Sequence, residues 1–285
     1  MDTDVVALYC LTDDLLQAKG HSEPPQRSMT DSEVITTALV ATRLFGGNFA
    51  TARAYLRKEG YIPDMLSKSQ YNRRLHRAAP LLRWLFRRMA QIYKQTTEED
   101  IYLIDSFPAS VCENIRIPQT RIYGAEEGPR EEFRGYIASK GEYFFGVKVH
   151  LLVTAEGHPV EAFLTPGGCS DTRAMKQFQL TLPSESVVIG DKAYNDYDFE
   201  DLDYDFEDLL EEASGIDLRP LRRKNSAREE PAYVEFIQHT YRKQIETTGS
   251  DFERQLPSSI HAVTPEGFEL KVFLFVLAVS FGALV

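Results

Sequence analysis

Apolar and polar residues follow two different patterns along the chain. Up to about residue 98, apolar residues recur at helical spacing between Gly and Pro interruptions, which predicts a series of short helices. From Ile101 onward, short apolar runs bounded by turn residues predict strands at 101–107, 144–154, 160–164, 187–190 and 216–221. Helical patterns follow Asp171 and the fourth strand, and a last long helix is predicted from about residue 231 to 250.

The order of these elements predicts the fold class. Three strands, of which two form a hairpin, are followed by helix, strand, helix, strand and helix. This order is typical of an α/β, RNase H-like fold, in which a mixed five-stranded sheet carries flanking helices. We therefore expect an all-helical region over residues 1–98 and an RNase H-like domain over residues 99–285.

Composition narrows the class of protein. The chain has 285 residues, of which 43% are hydrophobic, and this is enough for a substantial core. Its three cysteines are far apart and lack metal-binding spacing, so they indicate neither a disulfide framework nor a zinc site. No basic and apolar leader follows Met1, and the apolar tail 272–285 is shorter than the roughly 20 residues of a membrane span. We expect a cytoplasmic protein whose last helix packs on the core.

Positive charge is concentrated in one segment of an otherwise acidic chain. The net charge is -11, yet residues 43–94 contain twelve Lys or Arg and only two acidic residues, a pattern typical of phosphate binding. A basic helix is predicted after Gly60 and Pro63, as in a helix-turn-helix, but a helical bundle with a solvated basic face explains the pattern equally well. The polar residues of this helix include Lys68, Asn72, Arg73, Arg74, His76 and Arg77.

Three acidic residues are predicted to meet at one edge of the sheet. Asp105 ends the apolar part of the first strand, Asp191 directly follows the strand 187–190, and Glu246 lies on the last long helix. Ligands of open α/β sheets bind at the carboxyl ends of strands. Because convergent carboxylates repel one another unless hard cations neutralise them, we predict a site for two Mg²⁺ or Mn²⁺ ions.

Each of these residues also has a purely structural explanation. An aspartate after a strand commonly makes a turn, and a glutamate on a helix commonly faces solvent. Asp171, which follows a Gly-Gly pair, is expected to be the N-cap of a helix. His150 is expected to be a hydrogen-bonded residue inside the sheet. The joint appearance of the three acids in the order of the fold favours the catalytic interpretation.

Four short motifs accompany these residues in a defined order. They are Leu103-Ile104-Asp105-Ser106, Phe145-Gly146-Val147-Lys148-Val149-His150, Gly190-Asp191-Lys192-Ala193-Tyr194, and Arg242 with Ile245-Glu246-Thr247-Thr248. With these motifs the chain resembles, over nearly its whole length, the DDE transposases of bacterial insertion sequences. The positions that depart from the pattern are His239, Gly249 and Glu253, where relatives commonly carry a tyrosine, an aromatic residue and a lysine.

The resemblance implies a metal-dependent enzyme that cuts the ends of an insertion sequence and joins them to target DNA. Asp105, Asp191 and Glu246 would be the catalytic residues and would hold two Mg²⁺ or Mn²⁺ ions. Double-stranded DNA would be the partner, and at least a homodimer is expected because two ends must be brought together. The enzyme would lie in the bacterial cytoplasm, at the nucleoid when bound to DNA. The residues expected to contact DNA are Arg73, Arg74, Arg77, Lys148 and Arg242.

Two other functions remain open at this point. The three departures are also what a catalytically inactive, transposase-derived DNA-binding protein would show. A metal-dependent nuclease would need the same three carboxylates. The intact Asp105, Asp191 and Glu246 favour the transposase over the inactive protein.

A seven-residue segment is repeated without change. The segment 196–202, Asp-Tyr-Asp-Phe-Glu-Asp-Leu, recurs at 203–209. Seven residues are close to two helical turns, so a second copy can lengthen a helix by about 10 Å, or form a loop, without reversing the buried side. We hypothesise that the second copy is dispensable for the fold and that its acidic residues weaken DNA binding.

Overall fold

Helices form both ends of the chain and strands form its middle. The protein is described by a computed structural model, which covers residues 1–125, 128–138, 140–195, 206–222, 231–257, 260–282 and 284. The α-helices of these residues are α1 Asp2–Ala18, α2 Asp31–Phe45, α3 Phe49–Lys58, α4 Lys68–Arg77, α5 Ala79–Thr96, α6 Asp171–Gln177, α7 Phe206–Ser214, α8 Ala232–Gln255 and α9 Pro265–Gly282. The strands are β1 Ile101–Ser110, β2 Gly124–Ala125, β3 Gly128–Pro129, β4 Arg134–Ile137, β5 Glu142–Thr154, β6 Pro159–Pro166, β7 Val187–Gly190 and β8 Asp217–Pro220.

The chain divides into two compact units. One unit, the helical unit, combines Met1–Met89 with Arg254–Val285, and the other, the sheet unit, is Ala90–Glu253. These units differ from the predicted domains of 1–98 and 99–285, above all at the C-terminal end. The cause is α9, which packs against α2 and is buried on most of its sides. The prediction of a packed last helix is confirmed, and none of the described helices is long and apolar enough to cross a membrane.

Helix α2 is the centre of the helical unit. It begins with a capping box, in which the Thr30 side chain accepts from the Glu33 backbone N–H and the Glu33 carboxylate accepts from the Thr30 N–H. It ends at Gly46, whose left-handed backbone suits glycine. Nearly all of its side chains are buried, because α1, α3, α4 and α9 pack around it. The sequence predicts a start at Asp31-Ser32-Glu33 and a stop at Gly46-Gly47-Asn48 for this helix, and both are confirmed.

Helix α4 carries the basic residues, but the connection between α3 and α4 is longer than that of a helix-turn-helix. Residues 59–67 separate α3 from α4, whereas a helix-turn-helix has a turn of about 3–4 residues. The inner side of α4 is held by Tyr71, which is 1% exposed and donates to the Val34 carbonyl of α2 at 3.1 Å. The outer side, with Arg73 and Arg77, is exposed. The arrangement is thus a helical bundle with an exposed basic helix.

The sheet has six strands rather than the predicted five. Its order is β4-β5-β1-β7-β8, with β6 paired to β5. β1 lies in the middle, antiparallel to β5 and parallel to β7, and β8 is parallel to β7. The additional strand is β4, which pairs with the first residues of β5, from Glu142 to Phe145. Sequence patterns miss it because it lies in a Pro/Gly-rich and charged stretch that is typical of a connection.

Helical spacing predicts an apolar stripe on α8 of Val234, Ile237, Tyr241 and Ile245, but the helix buries a different side. Val234 and Ile245 are buried as expected, but Ile237 is 44% exposed, so this part of the prediction is wrong. Small and polar residues occupy much of the buried side, and hydrophobicity alone therefore misplaces it. The buried residues of α8 are Val234, Gln238, Ile245, Thr248, Gly249 and Phe252.

The last part of the tandem repeat forms the start of α7, whereas residues 196–205 lie outside the described residues. Within the second copy, Glu207 is 9% exposed and its two carboxylate oxygens accept from the Arg222 guanidinium at 2.8 and 2.6 Å. Because the copies are identical, deleting 203–209 puts Glu200 in the sequence position of Glu207. The shortened chain can therefore form the same ion pair.

Deleting residues 203–209 should leave the protein folded, with a thermal unfolding temperature close to that of the full chain. Binding to duplex DNA at low salt should be equal or tighter, because four acidic residues are removed. Adding Glu200→Gln to the deletion should lower the free energy of unfolding by about 3–5 kcal/mol, since it removes the carboxylate charge opposite a buried guanidinium. Thermal melts followed by circular dichroism measure both effects. An insoluble deletion variant would make the second copy a structural part of the sheet unit.

Candidate active site

Two of the predicted acids are placed side by side by the pairing of β1 with β7. In this parallel pair Ile104 lies opposite Gly190, Asp105 is the next residue of β1, and Asp191 directly follows β7. Asp191 also starts a 3-10 turn over Lys192–Tyr194, where its Oδ1 accepts from the Lys192 N–H at 2.6 Å. The two residues therefore occupy neighbouring positions where the parallel pairing of β1 with β7 ends, at the carboxyl end of β7.

Helix α8 brings the third acid to the same place through an arginine. Arg242 Nη1 donates to Asp191 Oδ1 at 2.9 Å, and Arg242 Nε donates to Glu246 Oε1 at 2.6 Å. Arg242 and Ile245 also line a small concave surface together with Asp105 and Asp191. One guanidinium thus connects two of the predicted acids beside the third. The spacing of four residues between Arg242 and Glu246 on the helix makes this possible.

The electrostatics of Asp105 fit a cation site. Burial and the negative charges of Asp191 and Asp171 raise the pKa of Asp105 to about 7, although the Ser106 N–H donates to its Oδ1 at 2.7 Å. Burial, and to a lesser extent the two neighbouring carboxylates, thus disfavour the charged form of Asp105. Hard divalent cations with oxygen ligands neutralise this kind of site, so the residues fit Mg²⁺ or Mn²⁺.

Asp171 is a fourth acid near the site, and its predicted role is wrong. The N-cap of α6 is Ser170, whose side chain accepts from the Arg173 N–H, and Asp171 is the first residue of the helix. Its Oδ1 instead accepts from Ser106 Oγ and from Lys148 Nζ, both at 3.0 Å. No local pattern in the sequence indicates these contacts, because the partners lie 65 and 23 residues away.

The two predicted polar residues of β5 are engaged inside the protein. Lys148 pairs with the buried carboxylate of Asp171 and is itself largely buried. His150 is fully buried, and its ring nitrogens lie 3.1 Å from Tyr194 Oη and 2.9 Å from Thr165 Oγ1. Burial lowers the pKa of His150 to about 4, so the ring is neutral at neutral pH. The prediction of a hydrogen-bonded sheet histidine is confirmed.

The predicted basic residues of α4 differ in what they contact. Arg73 and Arg77 are exposed, whereas Arg74 Nη2 lies 2.6 Å from Asp31 Oδ1 and 3.5 Å from Glu23 Oε2. Burial alone would raise the pKa of Asp31, but hydrogen bonds from Arg74 and His21 keep it below its ordinary value. Arg74 therefore holds α4 to the start of α2, whereas Arg73 and Arg77 are accessible from solvent.

The same ion pairs include a compact group of three side chains of the kinds that commonly bind metal ions. Ligand atoms of His21, Glu23 and Asp31 all lie within 4.8 Å of one another. The guanidinium of Arg27 lies 2.9 Å from Glu23 and 3.0 Å from Asp31, and that of Arg74 also pairs with both carboxylates. Two arginines already neutralise the two carboxylates, so this group is an ion-pair network rather than a cation site.

Replacing Asp105 by Asn should raise the unfolding temperature at pH 8 without divalent cations, and change it little near pH 4. The pKa of Asp105 is about 7 in the folded protein against an ordinary value of 3.8. Between these values the folded state binds the proton that the unfolded state has lost, so wild-type stability falls as the pH rises. Asn avoids this decrease because it carries no charge. Calorimetry from pH 4 to pH 8 measures the difference, and a difference independent of pH would contradict the assignment.

Comparison with known proteins agrees with the fold. Residues 96–281 match the protein family described as "Transposase DDE domain". No curated protein and no solved structure matches the chain. The matched residues begin just before β1, end in α9 and include Asp105, Asp191 and Glu246. They make up more than half of the chain, and the mixed sheet with flanking helices is RNase H-like. The chain therefore belongs to the DDE transposase family.

Proposed function

We propose that the protein cuts the two ends of an insertion sequence and joins them to target DNA at the site formed by Asp105, Asp191 and Glu246. The observation that carries this proposal is the parallel register of β1 and β7, which places Asp105 beside Asp191, with Arg242 linking Asp191 to Glu246. Family membership supports DNA as the substrate and phosphoryl transfer as the reaction.

The carboxylates would hold two Mg²⁺ or Mn²⁺ ions. Such ions would supply activation of a water or 3′-hydroxyl nucleophile and stabilisation of the leaving oxygen. The chain's own contribution is to hold the acids in place: Asp105 on β1, Asp191 after β7, and Glu246 on α8. The pKa of Asp105 implies that this residue must lose its proton for a cation to bind at neutral pH.

Arg242 is suited to orient the DNA backbone next to these acids. Its planar guanidinium has donors in a fixed fork that matches phosphate oxygens. The side chain is 33% exposed, so it can reach a bound phosphate from its position beside Asp191 and Glu246. Lys148 is proposed to act less directly: its pairing with Asp171 fixes the surroundings of Asp105, and any contact with DNA would have to compete with that ion pair.

The helical unit is proposed to bind double-stranded DNA through α4. Arg73 and Arg77 are exposed on a helix with no acidic residue in its first turn, while Arg74 keeps the helix attached to α2. Positive side chains on one exposed surface favour binding to phosphates.

Because two element ends must be joined, the active form would be at least a homodimer on DNA. The reaction would take place at the bacterial nucleoid, in the cytoplasm.

Substitutions of Asp105→Asn, Asp191→Asn and Glu246→Gln should each reduce strand cleavage to background, while binding to the element ends stays nearly unchanged. Each change removes one metal-binding charge at nearly constant volume. The assay is incubation with Mg²⁺ and duplex DNA carrying the sequences that flank the gene, with mapping of cut and joined strands. Glu235→Gln, an exposed acid on the same helix, is the matched control and should retain activity.

The same assay separates the alternative functions. Cutting without joining would identify a nuclease, and binding without cutting in Mg²⁺ or Mn²⁺ would identify a catalytically inactive DNA-binding protein. Full joining activity in any of the three variants would show that the corresponding acid has been misassigned.

Changing both Arg73 and Arg77 to Ala should weaken end binding and reduce the log-log salt slope by about one unit for each phosphate that the arginines neutralise. Fluorescence anisotropy over a range of salt concentrations gives this slope. The pair Arg57→Ala and Lys58→Ala removes the same charge from the exposed end of α3 and is the control for net charge. Equal slopes for both double variants would show that the arginines of α4 make no specific contact. Arg74→Ala should instead lower the unfolding temperature.

A further inference from the structure

Gly249 faces an aromatic ring so closely that no other residue fits. It lies on the buried side of α8, opposite Phe107 of β1. A Cβ atom at Gly249 would lie 2.1 Å from Cε1 and 2.4 Å from Cζ of this ring. Carbon atoms in contact are about 3.5–4.0 Å apart, so even the methyl group of alanine requires a shift of the helix or the ring.

The ring of Phe107 has little freedom to give way. Phe107 is 7% exposed and packs against Phe252 of α8, with ring centroids 5.9 Å apart. Its backbone lies within β1, opposite Val149 of β5. Both the ring and the strand are thus fixed by the core. A side chain at position 249 would therefore move α8 away from the sheet, because the helix is the element that can shift.

The Gly249–Phe107 contact lies beside the proposed catalytic residues on both elements. Phe107 is two residues after Asp105, and residues two apart in a strand share one face of the sheet. Gly249 is three residues after Glu246, and residues three apart on a helix are neighbours. The contact therefore spans the same gap between β1 and α8 that separates Asp105 from Glu246.

A second contact, with the turn between β5 and β6, holds the same part of α8 in place. Gly157, in the turn between β5 and β6, has a φ of +91°, and a Cβ there would lie 2.5 Å from Gln244 Nε2 and 2.7 Å from Thr248 Oγ1. Gln244 Nε2 donates to the Glu156 carbonyl at 3.0 Å. The helix thus packs against the turn as well as against β1. Glu246 lies between the residues that make these contacts.

We infer that Gly249 is a positioning residue: the absence of a side chain lets α8 approach β1, and this approach sets the position of Glu246 relative to Asp105. The inference rests on the proposed catalytic role of these two acids. It also explains one departure from the family pattern. The ring beside this turn of the helix comes from Phe107 of β1, and the glycine leaves room for it.

Gly249→Ala tests the inference by the direction of its effect. If the glycine were only a weak point of the helix, alanine would raise the unfolding temperature, since alanine is the better helix former. We expect the unfolding temperature to fall, its increase on addition of Mn²⁺ to shrink, and cleavage to slow by about 100-fold, as for a displacement of about 1 Å in an active site. Binding to DNA ends should stay unchanged. Thr240→Ala, an exposed position earlier on the same helix, is the control and should show none of these effects.

A second substitution tests whether the ring is the cause. Leucine lacks the Cε1 and Cζ atoms that the new methyl group would meet, so Phe107→Leu in the Gly249→Ala background should restore both the unfolding temperature and cleavage toward the values of Phe107→Leu alone. Mn²⁺ should also regain its stabilising effect on the double variant. Recovery of the unfolding temperature without recovery of cleavage or of the Mn²⁺ effect would overturn the positioning role.

The outcomes separate this inference from the proposed function. If the unsubstituted protein neither cuts nor joins DNA, the proposed function fails on its own. The coupling between positions 249 and 107 in thermal unfolding still reports whether the close contact exists. An active Gly249→Ala protein with a raised unfolding temperature would refute the inference and leave the proposed function intact.

Discussion

The parallel pairing of β1 with β7 is the constraint on which the site depends. Successive side chains of a strand point to opposite faces of the sheet, so a slip of one residue in this pair would turn Asp105 away from Asp191. The long antiparallel pairing of β1 with β5, from Tyr102 to Ser110, prevents such a slip from the other side. β8 extends the parallel pairing beyond β7. The position of the two acids is therefore decided by backbone hydrogen bonds before any side chain of the site makes a contact.

A set of polar side chains joins the sequence motifs behind the acids. Asp171 accepts from Ser106 and Lys148, and His150 bonds to Tyr194. These residues come from α6, β1, β5 and the turn after β7. Because a buried polar group is costly without a partner, each motif requires the others in place. The lysine and histidine of β5 are thus explained by internal bonding rather than by an exposed surface.

The parts of the protein that can be predicted from sequence are those encoded locally. Asp105 and Asp191 stand out because each follows a short apolar run, and the cap of α2 marks where that helix starts. The partners of Asp171 and Arg74, and the packing of α9 on α2, depend on residues far away in the chain, which local patterns do not contain. Contacts with residues far away in the sequence also determine that α8 buries Gly249 and leaves Ile237 exposed.

The helical unit is discontinuous, and this has a consequence for how the chain is made. α2 is synthesised early, but α9, which covers part of it, follows the whole of the sheet unit. During translation the apolar side chains between them stay open to water until residues 265–282 have left the ribosome. A product that stops before α9 would contain Asp105, Asp191 and Glu246 but an incomplete helical unit. Completion of the helical unit thus depends on translation of nearly the entire chain, which makes unfinished products targets for chaperones and proteases.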